Sequence, residues 1–259
     1  MADTKISALT AVATPASTDE FATNQGAVSK RTTLAQVKTF VNTAPLFAAG
    51  TASANTHPEF TTGALLTTAE AGAMEYVAPA LYVSPAASCR AAWPAVMWSS
   101  NTGDFTMSNV ATAQTWLAAA NDTLTLPGGN TTYFFEMLYA VEAMGATTRT
   151  TGMLFGGTAT ISAIRYSALI QTGTANALGT TQSTKMCAAA TIQILNATAT
   201  TAAEYITASG IIRVTTTGTL IPQIQWSANP TGTILCKAGS YFRIWAAGTD
   251  STAAVGNWA

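Results

Sequence analysis

Few residues in this chain can do acid, base or metal chemistry, and their spacing limits what they can do. Glu136 and Glu142 lie in TYFFEMLYAVEAM, whose aromatic and aliphatic content favours a strand. An extended strand puts both on one face, but six residues at about 3.3 Å each hold them roughly 20 Å apart. Glycosidase carboxylates stand about 5 to 9.5 Å apart. Glycoside cleavage would therefore need a carboxylate such as Asp122 or Glu204 brought in across a subunit boundary. Both glutamates are expected to face solvent or to pair with Arg149, Arg165 or Arg213. His57 is the single histidine and sits beside Pro58, where nothing nearby provides a fold to hold a carboxylate against it for a Ser-His-Asp site. Three copies of it on a symmetry axis would lack accompanying ligands. Cys89, Cys187 and Cys236 are odd in number with no close pair, which argues against a disulfide framework and a zinc knuckle; they read as small buried hydrophobes. Gly128-Gly129 and Gly156-Gly157 are followed by no Lys-Ser/Thr, so they read as turns and not as phosphate loops. No catalytic residue, no cofactor and no metal is expected.

Aromatic faces can also bind flat apolar or saccharide ligands. The tryptophans are Trp93, Trp98, Trp116, Trp226, Trp245 and Trp258. Trp226 and Trp245 fall on core-like strands and are expected to pack inside or between subunits. Trp93, Trp98 and Trp116 remain candidates for receptor contact, and no receptor-binding residue is assigned.

Composition narrows the class. Charged residues are 9% of the chain, against about 25% in ordinary soluble proteins. Threonine, alanine, serine and glycine take their place. A net charge of -1, with eleven scattered Lys and Arg, offers no basic surface for nucleic acid. So little charge is more easily explained by an oligomer that buries sheet faces between subunits, and a homo-oligomer is expected. No window of eighteen apolar residues predicts a membrane span. The opening MADTKISALTAVATPASTDEF lacks a basic end followed by an apolar run, so synthesis in the cytosol without export is expected.

The elements that would position these residues are organised around GTLIPQIQWSANPTGTILCKAGSYFRIWAAG, residues 218–248. Leu220, Pro222, Ile224 and Trp226 alternate with Ile221, Gln223, Gln225 and Ser227, the pattern of a half-buried strand. A turn signal at Asn229 to Gly232 lets the chain reverse into a second strand over residues 240–246, with Phe242 and Ile244 facing one way and Tyr241, Arg243 and Trp245 the other. Upstream, strand-sized segments are expected at 95–99, 105–107, 115–117, 123–126, 133–144, 153–155, 162–171, 186–195 and 203–216.

Three segments precede or contain these strands. Residues 1–42 hold seven of the charged residues and read as a small β/α unit. It has strands near 5–9, 20–23 and 28–32, a turn at Asn24, Gln25 and Gly26, and a helix from Leu34 through Val37 to Val41 capped by Thr33. Residues 43–83 read as an extended linker with a short hairpin joining 74–76 to 81–83, and residues 84–259 as a β-sandwich.

Several phrases together carry a resemblance. KISALTAVATPASTDEFATNQGAVSKRTTLAQV resembles the N-terminal module of tailed-bacteriophage fibres and other virion surface proteins. GALLTTAEAGAMEY and the closing AGSYFRIWAAGTDSTAAVGNWA resemble the middle joint and end of the same proteins. Where those proteins carry Asp-Gly after Glu-Tyr, this chain has Val77 and Ala78, which bears only on the tightness of the hairpin. TLTLPGGNTTYFFEMLYAV followed much later by GSYFRI looks like the trimeric jelly rolls of the tumour necrosis factor and complement-head type.

The resemblance implies a mainly β protein: an N-terminal attachment unit, a linker with a hairpin and a C-terminal jelly roll. It implies a homotrimeric phage tail fibre, located on the virion, docking another virion protein and meeting a host surface receptor or glycan. A capsid-surface fibre or decoration protein is the alternative, and a polysaccharide-degrading spike a more distant one. Lys5, Ile6, Leu9, Phe21, Leu34 and Val37 are the expected attachment residues, and Tyr133, Phe135, Ile224, Trp226, Phe242 and Trp245 the expected trimer or core residues.

Overall fold

The computed structural model describes residues 20–25, 28–33, 62–78, 80–174, 177–199, 202–251 and 254. The chain divides into two compact units, Met1–Glu59 and Phe60–Ala259. Within the first, β1 (Glu20–Gln25) and β2 (Val28–Thr33) form an antiparallel hairpin with Gln25 opposite Val28. Asn24 and Gln25, expected in the turn, belong to the strand, where they pair with Ser29 and Val28. Lys5, Ile6, Leu9, Leu34 and Val37, the strand at 5–9, the helix and His57 lie outside the described residues.

The second unit begins with an antiparallel sheet of β3 (Met74–Val77), β4 (Ala80–Ala86) and β5 (Cys89–Trp93). Val77 stands opposite Ala80, so the hairpin is tight without Asp-Gly. The third strand was not anticipated. CRAAW carries little β propensity of its own and is held by pairing with β4, and by Arg90, whose Nε donates to Glu75 Oε2 at 2.8 Å.

The remaining strands are β6 (Val96–Ser100), β7 (Phe105–Thr106), β8 (Leu124–Thr125), β9 (Thr131–Met144), β10 (Arg149–Gly156) and β11 (Thr160–Thr174). After them come β12 (Ala177–Cys187), β13 (Gln193–Ala199), β14 (Ala203–Thr216), β15 (Thr219–Trp226), β16 (Gly232–Cys236) and β17 (Tyr241–Thr249). They build an antiparallel sandwich. One sheet runs β6-β17-β9-β14 and is widened beyond β14 by the hairpin of β11 and β12, while β16 and β7 continue along the far end of β9. The other runs β8-β15-β10-β13. Counting β6, β8, β9, β10, β13, β14, β15 and β17 as one to eight, the sheets read 1-8-3-6 and 2-7-4-5, the strand order of a jelly roll. The described residues contain no helix.

Two strand expectations need correction. Residues 115–117 do not form a strand: Gln114 alone bridges Ile224, and Trp116 and Leu117 drop into the core. Residues 186–195 span the end of β12, a connection and the start of β13, so one expected strand is two.

The expected reversal from 220–227 into 240–246 is also redrawn. β15 and β17 belong to opposite sheets, with β16 between them along the chain. Their alternation is as the sequence implies: Leu220, Pro222, Ile224 and Trp226 point inward from one sheet, Phe242 and Ile244 from the other. Phe135, Phe155, Tyr166 and Phe242 meet in the interior at ring separations of 5.3 to 6.2 Å, mostly edge to face. Each such side chain contributes about 1.5–3 kcal/mol of burial, plus ring contact.

Candidate functional site

A strand buries every second residue, so the face of β17 opposite Phe242 and Ile244 must go elsewhere. It forms the outer surface of the larger sheet. The registers align Val96, Trp245, Phe134, Ile211 and Arg165 in one row across β6, β17, β9, β14 and β11. Beside it run Trp98, Arg243, Glu136, Ser209 and Ser167. Phe134 and Trp245 stack with centroids 6.0 Å apart. Trp98 is 69% exposed, and Val96, Phe134 and Ile211 are exposed as well. Arg243 stands at the centre, with its guanidinium 6.0 Å from the ring centroids of both Tyr241 and Trp245. Its Nε donates to Glu136 Oε2 at 2.9 Å, and this bond holds Arg243 still more firmly in its charged form. The face is thus an apolar band with one neutralised charge pair set into it and Arg165 at its β11 end.

The expected core or trimer residues separate. Tyr133, Phe135, Ile224, Trp226 and Phe242 are buried inside the single subunit, while Trp245 lies half-buried on the outer face. Tyr133 is tied locally, its hydroxyl donating to Gly128 O at 3.0 Å. Trp116, carried forward as a receptor candidate, is sealed in the core edge-on to Tyr139, 5.5 Å away, and is removed from that role. Trp93 and Trp98 are exposed; Trp258 lies outside the described residues. Phe134 was missed, although TYFFE contains the signal: if Tyr133 and Phe135 point in, the residue between them must point out.

The glutamates weighed for catalysis are engaged, with partners other than those expected. Glu136 pairs with Arg243, and Glu142 accepts the Tyr205 hydroxyl at 2.7 Å with Lys237 Nζ 3.8 Å away. Arg149 pairs instead with Glu204, inside the sandwich. Thr151 Oγ1 reaches both Glu204 oxygens at 2.9 Å, and Trp226 Nε1 donates to Glu204 Oε2 at 3.4 Å. Burial pushes the Glu204 carboxyl upward; Arg149 and these hydrogen bonds oppose the shift without cancelling it. Burial also pushes the Cys236 thiol up to about 11. Cys187 and Cys236 are buried and Cys89 is half-exposed, and all three are free thiols. No group of three or more His, Cys, Asp or Glu among the described residues is placed to hold a metal ion.

No family model, no curated protein and no solved structure matches the chain.

Proposed function

We propose that the chain is a structural protein of a bacteriophage virion: a homotrimeric tail fibre, attached to the particle through its N-terminal residues and presenting the jelly roll to the host surface. The observation that carries this reading is the apolar row Val96, Trp245, Phe134 and Ile211 on the outer face of the larger sheet. A contiguous apolar band on a chain with 9% charged residues calls for a cover. Two further copies about a threefold axis supply one, and the central Arg243 is already neutralised by Glu136, so covering Val96, Trp245, Phe134 and Ile211 leaves only Arg165, at the β11 end of the row, to stay at the solvent edge. The strand order supports the trimeric jelly-roll comparison, and the phrases at both ends of the sequence support a virion origin. Lys5, Ile6, Leu9, Phe21, Leu34 and Val37 are assigned to docking on another virion protein. The role is binding and assembly, without catalysis, since Glu136 and Glu142 are each taken up by neighbouring side chains.

Antiserum against the purified chain, applied to intact particles and viewed by electron microscopy, tests this. Label on the tail is the expected outcome. Label on the head would move the protein to the capsid surface, and particles that take no label would remove the virion assignment.

A further inference from the structure

Pro222 lies in the interior of β15, where a proline needs an explanation. Along one edge of β15, Leu220 stands opposite Leu124 of β8, and Ile224 exchanges both backbone hydrogen bonds with Gln114 at 2.9 Å. Pro222 falls between them, on the same alternation, so its missing N–H faces that edge. The ladder is interrupted there. A cavity of about 410 Å³ opens at the gap, between this part of the smaller sheet and β6, the edge strand of the larger one.

The cavity has two kinds of wall. Its floor is apolar, made by Leu117, Pro222 and Phe242. Its rim is polar and carries no Lys or Arg: Asn121, Asp122 and Thr123 line one side, and Thr102 another. Asp122 and Asp250 differ from the other described carboxylates of the sandwich, and of these two only Asp122 lines the cavity. Asp104, Glu136, Glu142 and Glu204 each have a cation within 4.0 Å, from Lys237, Arg243, Lys237 and Arg149 respectively. Among the described residues, Asp122 has only the neighbouring Thr123 hydroxyl, which donates to its Oδ1 at 2.7 Å. Its second oxygen remains available to a donor from outside.

The segment carrying Asp122 is held in place before any ligand arrives. Buried Asn101, just past β6, donates from Nδ2 to Trp116 O at 2.8 Å and accepts from Ala118 N at 3.1 Å. Ser99 Oγ donates to Asn121 O at 2.8 Å, and Asn121 N donates to Ala118 O at 2.7 Å. A rim fixed to an edge strand in this way spends little ordering entropy on binding.

We infer that this cavity is a binding site for a neutral saccharide unit, and that Asp122 with Asn121 recognises its hydroxyls. A sugar ring presents C–H faces that suit the Leu117, Pro222 and Phe242 floor, and hydroxyl donors that suit an unpaired carboxylate and an amide. A phosphate or sulfate would meet Asp122 with no cation to offset it. The volume lies in the range of small-molecule sites, about 300–1,000 Å³. The inference deepens the host-surface role proposed above and rests on it for its biological meaning, while the binding itself is a property of the isolated chain.

Saturation-transfer NMR on the purified full-length protein tests it with glucose, galactose, rhamnose and N-acetylglucosamine, and with propylamine as a cationic probe. At least one sugar is expected to bind saturably. Asp122→Asn should weaken that binding at least 10-fold, and Ala120→Trp, which fills the mouth from an exposed position, should abolish it. Trp93→Ala, on the separate small sheet, should leave it unchanged. Circular dichroism melting of each variant identifies any loss caused by unfolding, and the other blocking variant then carries the result. No sugar bound, binding of propylamine alone, or sugar binding indifferent to both blocking variants each overturns the inference. A sugar-binding protein missing from the virion removes the fibre assignment and leaves the site standing; a virion protein with a silent cavity removes the site alone.

Discussion

Arg149 Nη2 stands 3.1 Å from Glu204 Oε1 with both side chains fully removed from solvent, an ion pair enclosed within the sandwich. It bridges β10 of the smaller sheet and β14 of the larger. Trp226 closes it from β15, so the network ties the two sheets by polar contacts within a largely apolar interior.

Breaking this pair from one side should be far worse than removing it. Arg149→Met or Glu204→Leu alone leaves an uncompensated buried charge and is expected to cost about 3–5 kcal/mol. The double variant should recover most of that loss, because matched apolar replacement of a buried pair is often neutral. Urea unfolding of the four proteins in a double-mutant cycle measures the coupling; equal and additive losses would show that the two charges do not depend on each other.

The three thiols should separate by reactivity. Cys89 is half-exposed and should react first with a thiol reagent at pH 8, whereas Cys187 and Cys236 should wait for denaturant. Because the folded Cys236 thiol sits at about 11, above its unfolded value near 8.5, its contribution to stability is complete below about pH 8.5 and is lost as pH rises through 11. A Cys236→Ala variant should therefore lose less of its melting temperature between pH 8 and pH 10.5 than the parent does. An equal loss in both would show that this thiol does not shift.

Gly210 marks a place where β14 and β11 come unusually close. A methyl group there would meet Arg165 O at 2.3 Å and the Tyr166 Cβ at 2.5 Å, so Gly210→Ala must push the strands apart. The expected loss is about 1–3 kcal/mol, the usual range for overpacking. Chemical denaturation reads it directly, and an unchanged midpoint would mean that the strands yield freely.

Alternation was the most legible feature of the sequence. It put Ile224 with Trp226, and Phe242 with Ile244, on shared faces, because side-chain direction follows from period alone, while which face turns inward was left open. Which sheet each strand joins was not legible. A turn signal at Asn229 to Gly232 reads the same whether the next strand pairs with β15 or crosses to the facing sheet, as β17 does. The Arg149 and Glu204 pairing was equally hidden, since 55 positions separate the partners and only the meeting of two sheets joins them. The outer face could have been read one step further, by giving Phe134 the direction that Tyr133 and Phe135 deny it. The cavity depends on Pro222 falling beside a gap in the ladder, which no local pattern announces.

Sedimentation equilibrium on the purified full-length protein at micromolar concentration tests the central claim most directly, because it asks whether the row of Val96, Trp245, Phe134 and Ile211 is covered by copies of the same chain. The expected mass is three times 26.6 kDa, falling toward that of one chain when Phe134 and Trp245 are both replaced by lysine. A parent protein that sediments at 26.6 kDa, or a trimer that the lysine variant leaves intact, would contradict it.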